Sequence, residues 1–185
     1  MPGYFREIAV RVFAKEIRDS AVVYREEGDQ YAPQYVMTPT GARINRVLIA
    51  GTLTENENIG TDSEYYRARI SDPTGTFMVY AGQYQAEAMR FLSEVETPAF
   101  VAVVGKVNAF KADDGNILVS IRPEHIQKID EKDRNLWVFE TAQKTHERIT
   151  EIETDSEKSA ELLKHYHPDF AGYRKMMAEA LETIQ

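Results

Sequence analysis

The middle of the chain alternates between hydrophobic and polar residues, whereas both ends show the wider spacing of amphipathic helices. Alternation with a period of two residues is typical of a strand with one buried face. The runs that show it, and that we predict as strands, are 46–54, 65–71, 76–81, 100–110 and 116–122. A stretch with helical spacing, 84–95, lies between the third and the fourth of these strands.

Two of the connections between these runs have strong turn chemistry. The tetrapeptide Asp-Pro-Thr-Gly at 72–75 separates one pair of runs, and Asp-Asp-Gly at 113–115 separates another. Proline presets its own backbone angle and glycine accepts the left-handed conformation, so both segments are predicted to be hairpin turns. Residues 55–64 are predicted to form a polar loop.

The order strand, strand, strand, helix, strand, strand is the arrangement of the five-stranded OB-fold barrel. Another small α+β domain with a meander is the competing arrangement. We predict a mainly β fold with flanking helices, in which a lead-in segment with an N-terminal helix covers 1–42, the OB-fold barrel covers 43–130 and a helical extension covers 131–185.

The flanking sections are predicted from the spacing of their apolar residues. Before the barrel, a helix is predicted over Tyr4–Arg18, followed by short extended pieces at 21–25 and 35–37. After the barrel, helices are predicted over 134–152 and 160–166, with a polar linker over 154–159 and a last helix capped by Asp169. In the first of these helices, the apolar residues near one face are Leu136, Phe139, Ala142, Ile149 and Ile152, interrupted by the polar residues Thr145 and His146.

Composition and charge narrow the possible partners. The 185 residues are 43% hydrophobic and 28% charged, and 22 basic against 30 acidic residues give a net charge of −8. A basic footprint over the whole surface is therefore missing, and a nucleic-acid site would have to be a local patch. No apolar run is long enough to cross a membrane, the N-terminus does not have the pattern of a signal peptide, and cysteine is absent. We expect a cytoplasmic protein without a membrane partner.

Familiar catalytic motifs are missing from the sequence. There is no phosphate-binding loop, dinucleotide fingerprint, nucleophile elbow or zinc-protease motif. His165 and His167 are close together next to Pro168, but a surface position explains them better than a metal pair. The sequence therefore gives no basis for an enzyme, and no cofactor or metal is expected.

Each predicted hairpin has one apolar face and one face that mixes aromatic residues with cations. In the first hairpin Ser71 would face Thr76 and Arg67 would face Tyr80. Its core face would carry Tyr66, Ala68, Ile70, Phe77 and Val79, and its outer face Tyr65, Arg67, Arg69, Met78 and Tyr80. In the second hairpin Phe110 would face Leu118; the core face would carry Val101, Val103, Val107, Ile117, Val119 and Ile121, and the outer face Lys106, Asn108, Phe110, Leu118, Ser120 and Arg122.

These outer faces have the chemistry of a protein that binds single strands. Aromatic rings stack on bases for about 1–3 kcal/mol each, while Arg and Lys follow the phosphates. The acidic residues of the region fall in predicted loops, at Glu55, Glu57, Asp62, Asp113 and Asp114. The alternative is that Tyr, Arg and Lys are there because they suit a half-buried strand.

With these residues in view, the chain resembles the archaeal replication protein A-associated family, and is similar to the small single-barrel subunit of replication protein A. The stretches that carry the resemblance are RVLIAGTLTE, YYRARISDPTGTFMVYAGQY, FVAVVGK and ILVSIRPEHI, together with FREIAVRVFAKEI and RNLWVFETA in the flanking helices. The resemblance implies an OB-fold barrel that binds single-stranded DNA in replication and repair, in association with the nucleoid.

The resemblance also implies roles for individual residues. Phe110 matches an aromatic residue that stacks on a base, and a tryptophan of the family falls on Gln83 or Tyr84, so that Tyr84 or Tyr80 would replace it. The single-stranded DNA site would comprise Tyr65, Arg67, Arg69, Tyr80, Tyr84, Lys106, Asn108, Phe110, Lys111 and Arg122.

The resemblance implies a protein partner as well. A larger replication protein A subunit would bind the helix over 134–152, with Leu136, Trp137, Phe139 and Ile149 as contacts, unless these side chains pack on the chain's own barrel. A homo-oligomer is a further possibility. Two other functions stay open: an assembly module that binds protein and has little DNA affinity of its own, and an RNA-binding OB-fold protein of translation.

Overall fold

The structure, a computed structural model, describes residues 6–25 and 32–184. Its strands are β1 Val22–Arg25, β2 Gln34–Met37, β3 Arg43–Ile44, β4 Arg46–Asn58, β5 Tyr66–Asp72, β6 Gly75–Ala81, β7 Ala99–Lys111 and β8 Ile117–Lys128. Its helices are α1 Ala14–Arg18, α2 Ala86–Glu94, α3 Glu131–Thr154, α4 Ser156–Leu163 and α5 Phe170–Glu182, with a 3-10 turn at Gln83–Gln85.

Strands β4 to β8 form a closed barrel in the order β4-β5-β6-β8-β7. β6 and β8 run parallel, every other neighbouring pair is antiparallel, and α2 connects β6 to β7. This is the OB-fold arrangement, and the predicted fold class is confirmed. The interior is apolar, and its fully buried residues include Ile49, Leu53, Ile70, Val79, Val103 and Ile121.

The predicted hairpin registers are confirmed. Ser71 lies opposite Thr76 and Arg67 opposite Tyr80 in the first hairpin, while Phe110 lies opposite Leu118 in the second. Turn chemistry fixed these pairings because a tight turn leaves the strands little freedom to slip.

The barrel strands are longer than predicted. β4 continues to Asn58, so the predicted loop over 55–64 is wrong in its first part, and β8 continues to Lys128. Glu55 and Glu57 therefore belong to β4, where they lie opposite Arg69 and Arg67. Opposite charges across a strand pair stabilise an extended conformation that the polar composition of this segment conceals.

The predicted N-terminal helix over Tyr4–Arg18 is wrong for most of its described length. Only Ala14–Arg18 is helical, and Tyr4 and Phe5 lie outside the described residues. Val10 forms a β-bridge with Val47 on β4. The Val10 amide donates to the Arg46 carbonyl at 2.9 Å, and the Val10 carbonyl accepts from the Leu48 amide at 3.0 Å. These bonds to the barrel replace the intrahelical ones, so tertiary contact overrides the helical pattern.

The turn at 72–75 also anchors α1. The Asp72 carboxylate accepts from the Ala14 amide at 2.8 Å, and the Thr74 hydroxyl accepts from the Lys15 amide at 3.0 Å. These bonds satisfy backbone donors at the helix start that have no partner within the helix. Burial raises the pKa of Asp72, although hydrogen bonds from the Ala14 amide and from its own turn act in the opposite direction.

The three C-terminal helices match the predicted number but not all boundaries. α4 begins at Ser156, so the predicted linker over 154–159 is wrong: Asp155 ends α3 and its carboxylate directly caps α4. Asp169 caps α5 as predicted, accepting from the Gly172 amide at 2.9 Å. α5 is tied to α1, because the Tyr173 hydroxyl donates to Asp19 at 2.9 Å. Burial opposes the ionisation of Asp19, but hydrogen bonds from Lys15 and Tyr173 prevail and lower its pKa.

Strands β1, β2 and β3 form a small separate sheet between the barrel and the C-terminal helices. On the barrel side, the Gln34 amide donates to the Ala109 carbonyl and accepts from its N–H, at 3.3 and 3.2 Å. On the helical side, the Tyr166 hydroxyl donates to the Met37 carbonyl at 2.6 Å and accepts from the Ala21 amide at 2.8 Å. The section before the barrel is thus bonded to both of the others.

Candidate nucleic-acid interface

Two tyrosines form an aromatic platform on the outside of the barrel. Tyr65, just before β5, stacks on Tyr80 of β6 with 6.0 Å between ring centroids and 23° between the ring planes. Tyr65 is 42% exposed. Gly82 lies beneath it, and a Cβ at that position would come within 2.8 Å of the Tyr65 ring. Tyr65 and Tyr80, called the tyrosine platform below, present aromatic surface to solvent.

Cations and the tyrosine platform lie in one row across four strands. Arg67 on β5 faces Tyr80, and Lys106 on β7 faces Arg122 on β8. The β6 and β8 strands are joined by the parallel pairing of Val79 with Ile121, which places Tyr80 and Arg122 on the same outer face of neighbouring strands. Tertiary structure therefore brings the two predicted outer faces into one surface.

The two β5 arginines are not free. Arg67 forms an ion pair with Glu57 at 2.7 Å, and Arg69 forms one with Glu55 at 3.3 Å. The placement of Glu55 and Glu57 in a loop, away from the basic residues, is thus corrected: they lie beside the arginines on β4.

A cavity of about 370 Å³ opens beside Tyr84, whose side chain is 88% exposed. This Tyr84 cavity is bounded on the barrel side by Lys106, Arg122 and Glu124. Glu124 is paired with Arg46 at 2.5 Å. Within the part of the chain that the structure describes, neither Lys106 nor Arg122 has an ion-pair partner.

The tip of the β7–β8 hairpin carries the remaining predicted DNA-binding residues. Phe110 and Leu118 form an exposed cross-strand pair, at 54% and 48% exposure, and Asn108 is exposed on the same face of β7. Lys111 is exposed too, but strand alternation places it on the opposite face from Phe110. Lys111 therefore does not share a surface with the aromatic residue.

The predicted subunit contacts on α3 divide into two groups. Leu136 and Phe139 are each 54% exposed, whereas Trp137 is 4% exposed and Ile149 fully buried. The assignment of Trp137 and Ile149 to an exposed contact surface is wrong, because both belong to the chain's own core. The face of α3 that packs on the core also includes Thr145, whose hydroxyl donates to the buried Glu16 at 3.1 Å.

One of the two exposed α3 residues, Phe139, lines a groove that the sequence did not suggest. The groove, about 440 Å³, runs between α3 and α5 and is lined by Phe139, Ala142, Gln143, His146, Arg174, Met177, Ala178 and Leu181. Leu181 is 38% exposed. The available signal was the helical spacing of the apolar residues in this segment, Phe170, Tyr173, Met177, Leu181 and Ile184. Only the packing of α5 on α3 shows that Leu181 stays partly exposed.

Residues 6–25 and 32–184 contain no cluster of three or more His, Asp or Glu side chains suited to hold a metal ion. Within the same ranges, no helix is both long enough and apolar enough to cross a membrane.

No protein-family model matches the chain, and no curated protein matches it significantly. Among solved structures, asparaginyl-tRNA synthetase from Pyrococcus horikoshii is 20% identical, with a TM-score of 0.39 over 47% of this chain and 20% of the synthetase. The mitochondrial single-stranded DNA binding protein Rim1 from S. cerevisiae is 23% identical, with a TM-score of 0.37 over 47% of this chain and 95% of its own. An OBody bound to hen egg-white lysozyme is 21% identical, with a TM-score of 0.40 over 46% of this chain and 96% of the OBody chain. Similarity at this level reflects the fold alone.

Proposed function

We propose that this chain is a non-enzymatic, single-stranded DNA-binding OB-fold subunit of an archaeal replication protein A-type complex, acting in replication and repair. The observation that carries the proposal is the tyrosine platform, which lies in one row with Arg122 and Lys106 on the outside of the barrel. Exposed aromatic rings next to cations are what a single strand requires, because every base can stack and every phosphate carries charge.

Binding would use two elements on one surface. Bases stack on the tyrosine platform and on Phe110, which is more than half exposed. Phosphates are neutralised by cations on the same outer face. Neither contact reads base identity, so affinity depends little on sequence and falls as the salt concentration rises.

Replacing Phe110 by alanine should weaken binding by one stacked base. We expect a loss of about 1–3 kcal/mol in binding free energy, measured by fluorescence anisotropy with labelled oligo-dT at low and then moderate salt. Phe139→Ala is the matched control, since both phenylalanines are 54% exposed but Phe139 lies on α3. Equal affinity of Phe110→Ala and wild type for oligo-dT would remove Phe110 from the site. In a competition measurement on the wild type, RNA that displaces labelled oligo-dT as well as DNA does would favour a role in translation.

The second candidate function is an assembly module that binds a larger subunit through α3 and α5. It is supported by the exposed apolar side chains of Phe139 and Leu181, which line the groove between these helices, and by the exposed side chain of Leu136, about one turn before Phe139 on α3. A groove of this kind suits an apolar segment of another protein.

Changing Leu136 and Phe139 together to aspartate should dissociate such a complex without unfolding the barrel, because both side chains already face solvent. The measurement is the molar mass of the complex in solution, with circular dichroism of the isolated chain as the control for folding. A complex that stays intact in the doubly substituted protein would eliminate this surface.

A further inference from the structure

The cations of the candidate interface differ in their surroundings. On the β5 side, Arg67 and Arg69 are paired with Glu57 and Glu55, whose side chains are 61% and 65% exposed. Two positive and two negative groups leave this side without net charge. A phosphate that approaches either arginine also approaches a carboxylate, and the repulsion opposes the attraction.

On the β7–β8 side the net charge is positive. Lys106 and Arg122 face each other across the strand pair and have no ion-pair partner among the described residues. Glu124 lines the same cavity, but Arg46 neutralises it. Glu87 is the remaining acidic residue among those that line the Tyr84 cavity, so the two cations outnumber it.

The Tyr84 cavity also has a suitable shape and position. Its volume of about 370 Å³ is within the range of roughly 300–1,000 Å³ found for small-ligand pockets. Arg122, on its wall, is next to Tyr80 across the parallel β6–β8 pair. A strand with its bases on the tyrosine platform can therefore reach the cavity without crossing the neutral β5 side.

We propose that the phosphate groups of a bound single strand are held in the Tyr84 cavity, between Lys106 and Arg122, and not along β5. The β5 arginines stay paired with their glutamates and flank the stacked bases. This inference rests on the proposed DNA-binding function and adds the path of the phosphates to it.

The salt dependence of oligo-dT binding tests this division. For single strands, the slope of log affinity against log salt is about −0.7 per neutralised phosphate. We expect Lys106→Gln with Arg122→Gln to reduce the magnitude of the slope by about 1.4, the value for two lost phosphate contacts. Arg67→Gln with Arg69→Gln should reduce it by less than half as much. Lys144→Gln with Lys175→Gln, at helical positions that are 59% and 76% exposed, removes the same two charges away from the barrel and is the control for net charge.

A second double variant should change the affinity and the salt slope in the opposite direction. Glu55→Gln with Glu57→Gln removes the competing carboxylates, so Arg67 and Arg69 become available to phosphate. We expect tighter binding and a steeper slope, and thermal unfolding of each variant checks that the barrel is intact.

The outcomes separate the two proposals. No saturable binding of oligo-dT by the wild-type protein, alone or in its complex, overturns the proposed function itself. Binding by the wild type, together with a slope that falls more for the arginine pair than for Lys106 and Arg122, overturns only the phosphate path. An unchanged slope in the Glu55→Gln, Glu57→Gln variant would likewise contradict it.

Discussion

Glu16→Ala is expected to destabilise the protein by about 3–5 kcal/mol, the usual cost of removing one partner of a buried ion pair. The Glu16 side chain has no solvent exposure and pairs with Arg148 of α3 at 3.0 Å. It also accepts hydrogen bonds from the Phe13 amide at 2.7 Å, the Thr40 hydroxyl at 2.5 Å and the Thr145 hydroxyl at 3.1 Å. One carboxylate thus joins α1, the segment between β2 and β3, and α3.

The loss has a definite physical origin. Without Glu16, the partly buried guanidinium of Arg148 keeps its charge but has no counterion, and two threonine hydroxyls lose an acceptor. Unpaired polar groups in a low dielectric are more costly than the net gain from making the bonds.

Chemical denaturation followed by circular dichroism measures this effect. Glu16→Leu combined with Arg148→Met should be more stable than Glu16→Ala, because it removes the charge together with its partner. Glu153→Ala, which breaks the exposed pair with Arg174, should leave the midpoint nearly unchanged. A loss below about 1 kcal/mol for Glu16→Ala, the level of an exposed ion pair, would show that the network contributes little.

Trp137→Ala is expected to cost about 3–5 kcal/mol as well, as for other large aromatic residues removed from a core. The ring packs edge-on against Phe13 at 5.7 Å and Phe77 at 6.4 Å between centroids. The indole N–H donates to the Leu48 carbonyl at 2.9 Å. This side chain attaches α3 to the N-terminal segment and to the barrel at once.

The neighbouring residue is the matched control. Leu136→Ala, at a position 54% exposed, should change stability by less than about 0.5 kcal/mol, as surface substitutions usually do. The loss of stability in Trp137→Phe should lie between those of Trp137→Ala and Leu136→Ala, since phenylalanine keeps the aromatic contact but leaves the Leu48 carbonyl without its hydrogen bond from the indole. Equal effects of Trp137→Ala and Leu136→Ala on the denaturation midpoint would contradict the packing described here. Because Trp137 is the chain's one tryptophan, circular dichroism is the common readout.

Most of the barrel could be predicted from local sequence. Asp-Pro-Thr-Gly at 72–75 and Asp-Asp-Gly at 113–115 set the hairpin registers, and alternation then assigned Arg67, Tyr80, Lys106 and Arg122 to the outer faces. Turn geometry and side-chain alternation act over a few residues, so they can be read without knowing the fold.

The residues that the C-terminal helices bury were harder to predict than the barrel. The spacing along α3 suggested one apolar stripe, but the core uses only its later members, Ala142, Ile149 and Ile152, and leaves Leu136 and Phe139 exposed. The core takes Trp137 instead, together with the polar Thr145, because Glu16 is present as its partner. Amphipathic spacing shows that a helix has an apolar face, but it does not show which neighbour will cover it.

The amino-acid sequence by itself determined the order of the barrel elements, the hairpin turns and the residues available for an outer binding face. Only the tertiary structure decided which of these residues meet. It stacked Tyr65 on Tyr80, set Glu55 and Glu57 beside the β5 arginines, and left Lys106 and Arg122 at the Tyr84 cavity without an ion-pair partner among the described residues. It also set the outer faces of the two hairpins side by side through the pairing of β6 with β8. These strands are distant in sequence, and the local pattern of each carries no information about such a neighbour.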